Sequence, residues 1–103
     1  MVAMDVALIC KALADVNRLE IVRLLADGEK CGCRLLERFA ISQPTLSHHM
    51  KTLVECDLVR DRREGKRHYY SLNGETLAAF RQFIDSLAPQ ACFDQGQGGG
   101  CAV

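Results

Sequence analysis

No apolar run in this 103-residue chain approaches the ~20 residues needed to cross a bilayer, which argues against a membrane-spanning helix. A secretory signal is not expected either. Acidic Asp5 stands where such a segment is basic, and Val6-Ala7-Leu8-Ile9-Cys10 is too short for its apolar core. The expected location is the cytoplasm, where thiols are normally reduced. Internal repeats are absent. Net charge is zero, which at first sight speaks against nucleic acid, but its distribution is uneven. Residues 30–71 hold nine Lys and Arg against five Asp and Glu, a centre of +4 between flanks that together carry −4. A basic centre of this kind is an electrostatic footprint for phosphate, although an unevenly solvated surface gives the same count.

The length fits one domain whose core is modest enough to gain from a shared interface. We expect a winged helix-turn-helix, mainly α with a β-hairpin wing, over residues 1–90, and a flexible, cysteine-containing tail over 91–103. Val6, Ile9, Cys10 and Leu13 recur at helical spacing and predict a first helix over about 3–13. Asp15 can cap a second helix with a broad apolar stripe (Leu19, Ile21, Val22, Leu24, Leu25), which Gly28 ends. A third helix is predicted from Cys33 to Phe39, followed by a tight turn at Ala40-Ile41-Ser42. Ser42 can cap the next helix, Pro44 falls in its first turn, and Ile41 with Leu46 can form a hydrophobic staple. After Glu55 the period changes. Residues 58–62 and 67–72 read as two strands joined through Gly65. Asn73 can cap a last helix with Leu77, Phe80, Ile84 and Leu87 on one face. The apolar faces of the first and last helices suit a homodimer, which would set two reading helices about 34 Å apart on a palindrome.

On the helix from Gln43 to Val54, Leu46, Met50, Leu53 and Val54 share one face, and Thr45, His48, Lys51 and Thr52 the other. An amphipathic surface helix would look the same. Its pairing with a basic hairpin favours double-stranded DNA: Gln43, Thr45, Ser47 and His48 are the expected base readers and Lys51 a phosphate contact. Arg62, Arg63, Lys66 and Arg67 are expected along phosphates or in the adjacent minor groove. His49 leans to the apolar side and is expected to be packed or hydrogen-bonded.

Six cysteines in a reducing compartment speak for metal binding or reactive thiols rather than a disulfide framework. Cys10, on an apolar stripe, is expected in the core, and Cys56 is expected to pack. Cys31 and Cys33, between Lys30 and Arg34 at the head of a helix, are placed to favour thiolate, and thiolates select soft ions. Inside a regular helix, residues two apart point about 200° away from each other. Sharing one ion should therefore unwind the start of the third helix, at a cost that Gly32 lowers. A closed zinc site needs four ligands, and only one pair is present. Trivalent arsenic or antimony fits better, with Cys10, Cys92 or Cys101 as a third sulfur from the same or a partner chain. No permanently bound cofactor is expected.

The motifs Ala12-Leu13-Ala14-Asp15-Val16-Asn17-Arg18-Leu19-Glu20-Ile21-Val22, Cys31-Gly32-Cys33, Ser42-Gln43-Pro44-Thr45-Leu46-Ser47-His48-His49-Met50 and Gly65-Lys66-Arg67-His68-Tyr69-Tyr70-Ser71-Leu72 together resemble the ArsR/SmtB family of metal-sensing winged-helix repressors, over roughly residues 8–87. The resemblance implies a homodimer that represses a metalloid-resistance operon and releases its operator when arsenite or antimonite binds, with Cys31 and Cys33 as ligands. Some arsenic sensors carry a third cysteine where this chain has Leu36, and others place thiols near the C-terminus, which keeps Cys92 and Cys101 in play. A repressor of the same fold answering to thiol oxidation or to cadmium, lead or zinc is the alternative. A thiol oxidoreductase is a poorer fit, because Cys-x-Cys replaces Cys-x-x-Cys and no thioredoxin-like βαβ pattern is present.

Overall fold

The computed structural model describes residues 5–89; Cys92, Cys101 and the expected tail over 91–103 lie outside them. Five helices and three strands follow in the order α1 (Val6–Leu13), α2 (Val16–Leu25), β1 (Lys30–Cys31), α3 (Gly32–Glu37), α4 (Gln43–Glu55), β2 (Val59–Glu64), β3 (Arg67–Leu72) and α5 (Gly74–Ser86). This is the expected winged helix-turn-helix, with one strand more than the hairpin read from the sequence. The antiparallel sheet has the order β1-β3-β2. β1 pairs Lys30 with Tyr70 and Cys31 with Tyr69, so the thiol segment is stitched directly onto the wing.

Local chemistry sets the helix starts. Asp15 accepts the N–H groups of Asn17 and Arg18, Ser42 that of Thr45, and Asn73 those of Glu75 and Thr76, each satisfying donors that a first turn leaves free. α3 begins one residue earlier and ends two sooner than the periodicity predicts. The N–H groups of Arg38 and Phe39 close onto the Leu35 and Leu36 carbonyls, i to i−3 bonds that tighten the end of the helix and let Phe39 pack against the core. The connection to α4 is correspondingly longer than the expected three-residue turn. At the wing tip, Glu64 pairs with Arg67 across Gly65 and Lys66. Gly65 has φ +64°, the positive angle a two-residue hairpin turn with glycine first requires.

Ile9, Ile21, Leu25, Leu35, Leu53 and Leu58 form the fully buried centre, and Ile41 and Leu46 both join this core, as the staple requires. Two expectations change. Cys10 is exposed, because Ile9 and Ala12 are the residues α1 turns inward. Leu19 is also half exposed, and together with Leu8, Val16, Ile84 and Leu87 it leaves apolar surface uncovered in the single chain. Ile84 and Leu87 lie at the end of α5 and Leu8 on α1, the two helices expected to meet a second copy.

Candidate functional site

α4 presents the residues predicted to read DNA. Gln43, Thr45, Ser47, His48 and Lys51 are all exposed, while Leu46, His49, Met50 and Leu53 are buried. His49 does what its position foretells. Its Nδ1 lies 3.1 Å from Arg18 Nη1, and since a guanidinium only donates, Nδ1 accepts. Burial pushes the His49 pKa below its ordinary value, and Arg18 adds to the effect against the opposing pull of Asp15. The imidazole is thus held neutral. Arg18 also donates from Nε to the Ala12 carbonyl at 2.7 Å, tying the α1–α2 turn to the reading helix. Arg18 carries no functional motif in the sequence; its one sign there is an arginine beside the apolar stripe of α2.

The wing carries Arg63, Lys66 and Arg67 exposed at its tip. Arg62 is exposed too but already engaged. It donates to both carboxylate oxygens of Glu29, at 2.8 and 3.1 Å, and its guanidinium sits 4.7 Å from the Tyr69 ring centre. The Arg62 hydrogen bond holds the Glu29 carboxyl below its usual range. Where the sequence predicts Arg62 along phosphates or in the minor groove, the structure has an internal ion pair joining the wing to the loop before Cys31. His68, next to the tip, lies with Nδ1 2.9 Å from Asp61 Oδ1 and stacks on Tyr70.

The thiols depart from the sequence reading in an informative way. Cys31 is not inside the helix. It is the N-cap of α3, with extended backbone at φ −70° and ψ 145°, because β1 holds it on the wing. Its side chain is therefore free of the 200° rule, and its Sγ lies 2.8 Å from Cys33 Sγ with α3 intact. The predicted conflict between a shared ion and a wound helix does not exist here. Gly32 has a different role from the flexibility first assigned to it: a Cβ there would stand 3.3 Å from Tyr70 Cε2, so glycine lets the helix start lie close to the ring. The contact with the Cys33 sulfur lowers the Cys31 pKa, and the N–H dipoles at the head of α3 add to this without forming a cap hydrogen bond. The same contact raises the Cys33 pKa. The contact between the two sulfurs thus favours ionisation at Cys31 over Cys33.

Two sulfurs each held ~2.3 Å from one soft ion lie roughly 3.3–3.8 Å apart for bond angles between right and tetrahedral. The pair needs only a small side-chain rotation to reach that spacing, so the donor set fits a thiophilic ion. Among the described residues, no group of three His, Cys, Asp or Glu gathers, so no closed zinc-type site is preformed there. Cys56 is buried and donates to the Leu53 carbonyl, which bears out its packing role.

A groove of about 350 Å³ opens beside the two thiols. Leu36, Leu46, Met50 and Tyr70 supply its apolar lining, and Gln43 and Ser47 of α4 border it together with Lys66 and Arg67 of the wing. The thiols, the reading helix and the basic tip thus border one space.

Comparisons with known proteins bear on this arrangement. The sequence pattern described as "Bacterial regulatory protein, arsR family" matches residues 15–61. The chain is 49% identical over 90 residues to the arsenical resistance operon repressor of Staphylococcus xylosus, covering 85% of this chain and 86% of that one. It is 55% identical over 73 residues to the repressor of the same description from Staphylococcus aureus, covering 71% and 70%. Among solved structures, the homodimeric winged helix-turn-helix DNA-binding domain of a possible ArsR-family regulator from Mycobacterium bovis superposes with a TM-score of 0.65 at 32% identity, covering 84% of this chain and 80% of that one.

Proposed function

This chain belongs to the arsR family of bacterial regulatory proteins, and from that membership we propose that it is a homodimeric repressor of a metalloid-resistance operon, released from a palindromic operator when arsenite or antimonite binds Cys31 and Cys33. At the coarser level the chain is a DNA-binding, metalloid-responsive transcriptional repressor with a winged-helix fold; this is a family of regulators rather than enzymes. The observation that carries the finer reading is the 2.8 Å approach of the two sulfurs at the edge of a groove shared by α4 and the wing.

Each residue has a part in this reading. α4 enters the major groove with Gln43, Thr45, Ser47 and His48 towards base edges and Lys51 towards phosphate. Arg63, Lys66 and Arg67 neutralise phosphates from the wing, and Arg62 joins them if it leaves Glu29. Cys31 belongs to the strand paired with the wing, and Cys33 belongs to the first helix of the helix-turn-helix. An ion held by both sulfurs therefore ties the wing to α3 beside α4, and release from DNA works through the placement of the wing without unwinding either helix. The required bias has a scale: typical coupling between two sites is about 1–3 kcal/mol, and a complete switch from 1:99 to 99:1 needs about 5.5 kcal/mol. A third sulfur from Cys10, Cys92 or Cys101 would add to the differential affinity.

The test is titration of the dimer–operator complex with arsenite under strong reductant. Wild type releases DNA, whereas Cys31→Ser binds the operator normally and is not induced. Equal arsenite sensitivity in Cys31→Ser would remove the pair from the mechanism, and release by oxidant alone would favour a redox repressor.

A further inference from the structure

The groove beside the thiols has a feature that two sulfurs and an inorganic ion leave unused, namely its apolar wall. Leu46, Met50 and Tyr70 are each less than a tenth exposed, and Leu36 completes the wall from α3. We propose that this wall receives the organic substituent of a monosubstituted trivalent arsenical, with the arsenic bound by Cys31 and Cys33. The proposal rests on the reading that the pair binds the inducer, and it names the chemical class that the site prefers.

Valence and volume both point this way. Arsenite has three exchangeable hydroxides, and the described residues gather no third His, Cys, Asp or Glu beside the pair. An acid R–As(OH)₂ has two, which the two sulfurs replace. Two As–O bonds break and two As–S bonds form. Each thiol proton leaves with a hydroxide as water, and arsenic remains trivalent throughout. The As–C bond is kept, so the R group must lie against something. The groove measures about 350 Å³, whereas an apolar cavity of about 150 Å³ already accommodates benzene, so a phenyl ring fits. Because Gln43 and Ser47 border the same space as Lys66 and Arg67, a ring seated there stands between the two elements that face DNA.

The experiment measures equilibrium binding of methylarsonous and phenylarsonous acids to the full-length dimer in a phosphine reductant, each affinity taken relative to that for dithiothreitol. This normalisation removes the intrinsic difference between the two arsenicals towards thiols. Burial of about 55 Å² of ring beyond what a methyl buries, at about 25 cal/mol per Å², gives the phenyl compound about a tenfold advantage. Leu36→Gln, which makes the wall polar, and Leu36→Phe, which fills it, should each bring that ratio to about two or below, with a wild-type circular dichroism spectrum and thermal midpoint to show that each variant is folded. A phenyl-to-methyl ratio near one in wild type, or a ratio that neither Leu36 variant alters, overturns the proposal while leaving the thiol site standing. Undiminished binding of both compounds to Cys31→Ser/Cys33→Ser would remove the thiol site itself, and the proposal with it.

Discussion

Arg62 of the wing lies across the carboxylate of Glu29, with its Nη2 2.8 Å from Oε1 and its Nε 3.1 Å from Oε2. The contact joins residues 33 apart in sequence and clamps β2 of the wing to the loop that leads into Cys31. It also gives an internal partner to one of the cations of the wing. Arg62 is thus available to phosphate only in exchange for Glu29.

That exchange is measurable. Glu29→Gln removes the competing carboxylate, and we expect the slope of log affinity against log salt for operator binding to steepen by about one contact, since each neutralised phosphate contributes about 0.9 to it. The pair is exposed on both sides, so the thermal midpoint should not change. An unchanged slope would mean that Glu29 does not hold Arg62 back from phosphate.

Arg18 supports α4 from below, through the Ala12 carbonyl and His49 Nδ1. Replacing it with alanine leaves both acceptors without their donor inside a part-buried site, and we expect a loss of about 2 kcal/mol in unfolding free energy, as for hydrogen bonds to a charged group. Urea denaturation of the dimer at fixed protein concentration reads this directly. A loss under about 0.5 kcal/mol, the range of ordinary surface substitutions, would show that the network is incidental.

The same network predicts a pH dependence. His49 has its pKa lowered in the folded chain, chiefly by burial, against an ordinary value of 6.5. The unfolded chain therefore takes up the proton first. Stability from this group is fully present above about pH 6.5 and falls as pH drops below it towards the folded value. Asp15, Arg18 and His48 are the charged or titratable neighbours acting on the ring. In His49→Gln this component disappears, so the stability of wild type relative to the variant should decline as pH falls through and below 6.5. Parallel pH curves for the two proteins would contradict the neutral assignment.

The placement of Cys31 yields another outcome. Because its backbone is extended, the pair can hold an ion without disturbing α3. Amide exchange at Leu35 and at Arg38, whose N–H bonds the Leu35 carbonyl, should keep its protection on arsenite loading, while the wing around Tyr69 changes. Loss of protection across α3 would restore the unwinding that the sequence spacing first suggested.

The contrast between that spacing argument and the structure shows how far the sequence is readable. β3 was legible over Arg67–Leu72 and the start of α4 at Gln43, because alternation, an N-cap and a first-turn proline are local signals. The buried state of His49 followed from its position on the helix face. β1 was not legible, since two residues carry no period and exist as a strand only through Tyr69 and Tyr70 about forty positions away. That unseen strand is why the 200° rule was applied to a residue that lies outside the helix. Arg18–His49 and Glu29–Arg62 escaped for the same reason: each joins residues more than thirty apart. Cys10 was misassigned because α1 carries apolar residues around much of its circumference, and only packing shows that Ile9 and Ala12 are the ones turned inward.

The most direct test of the account is arsenic-edge X-ray absorption on the arsenite-loaded dimer, counting sulfur neighbours for wild type, Cys31→Ser and Cys33→Ser. We predict that each replacement lowers the sulfur count by one relative to wild type. A count unchanged in both variants would place the ion on other cysteines and contradict the assignment of the inducer to this pair.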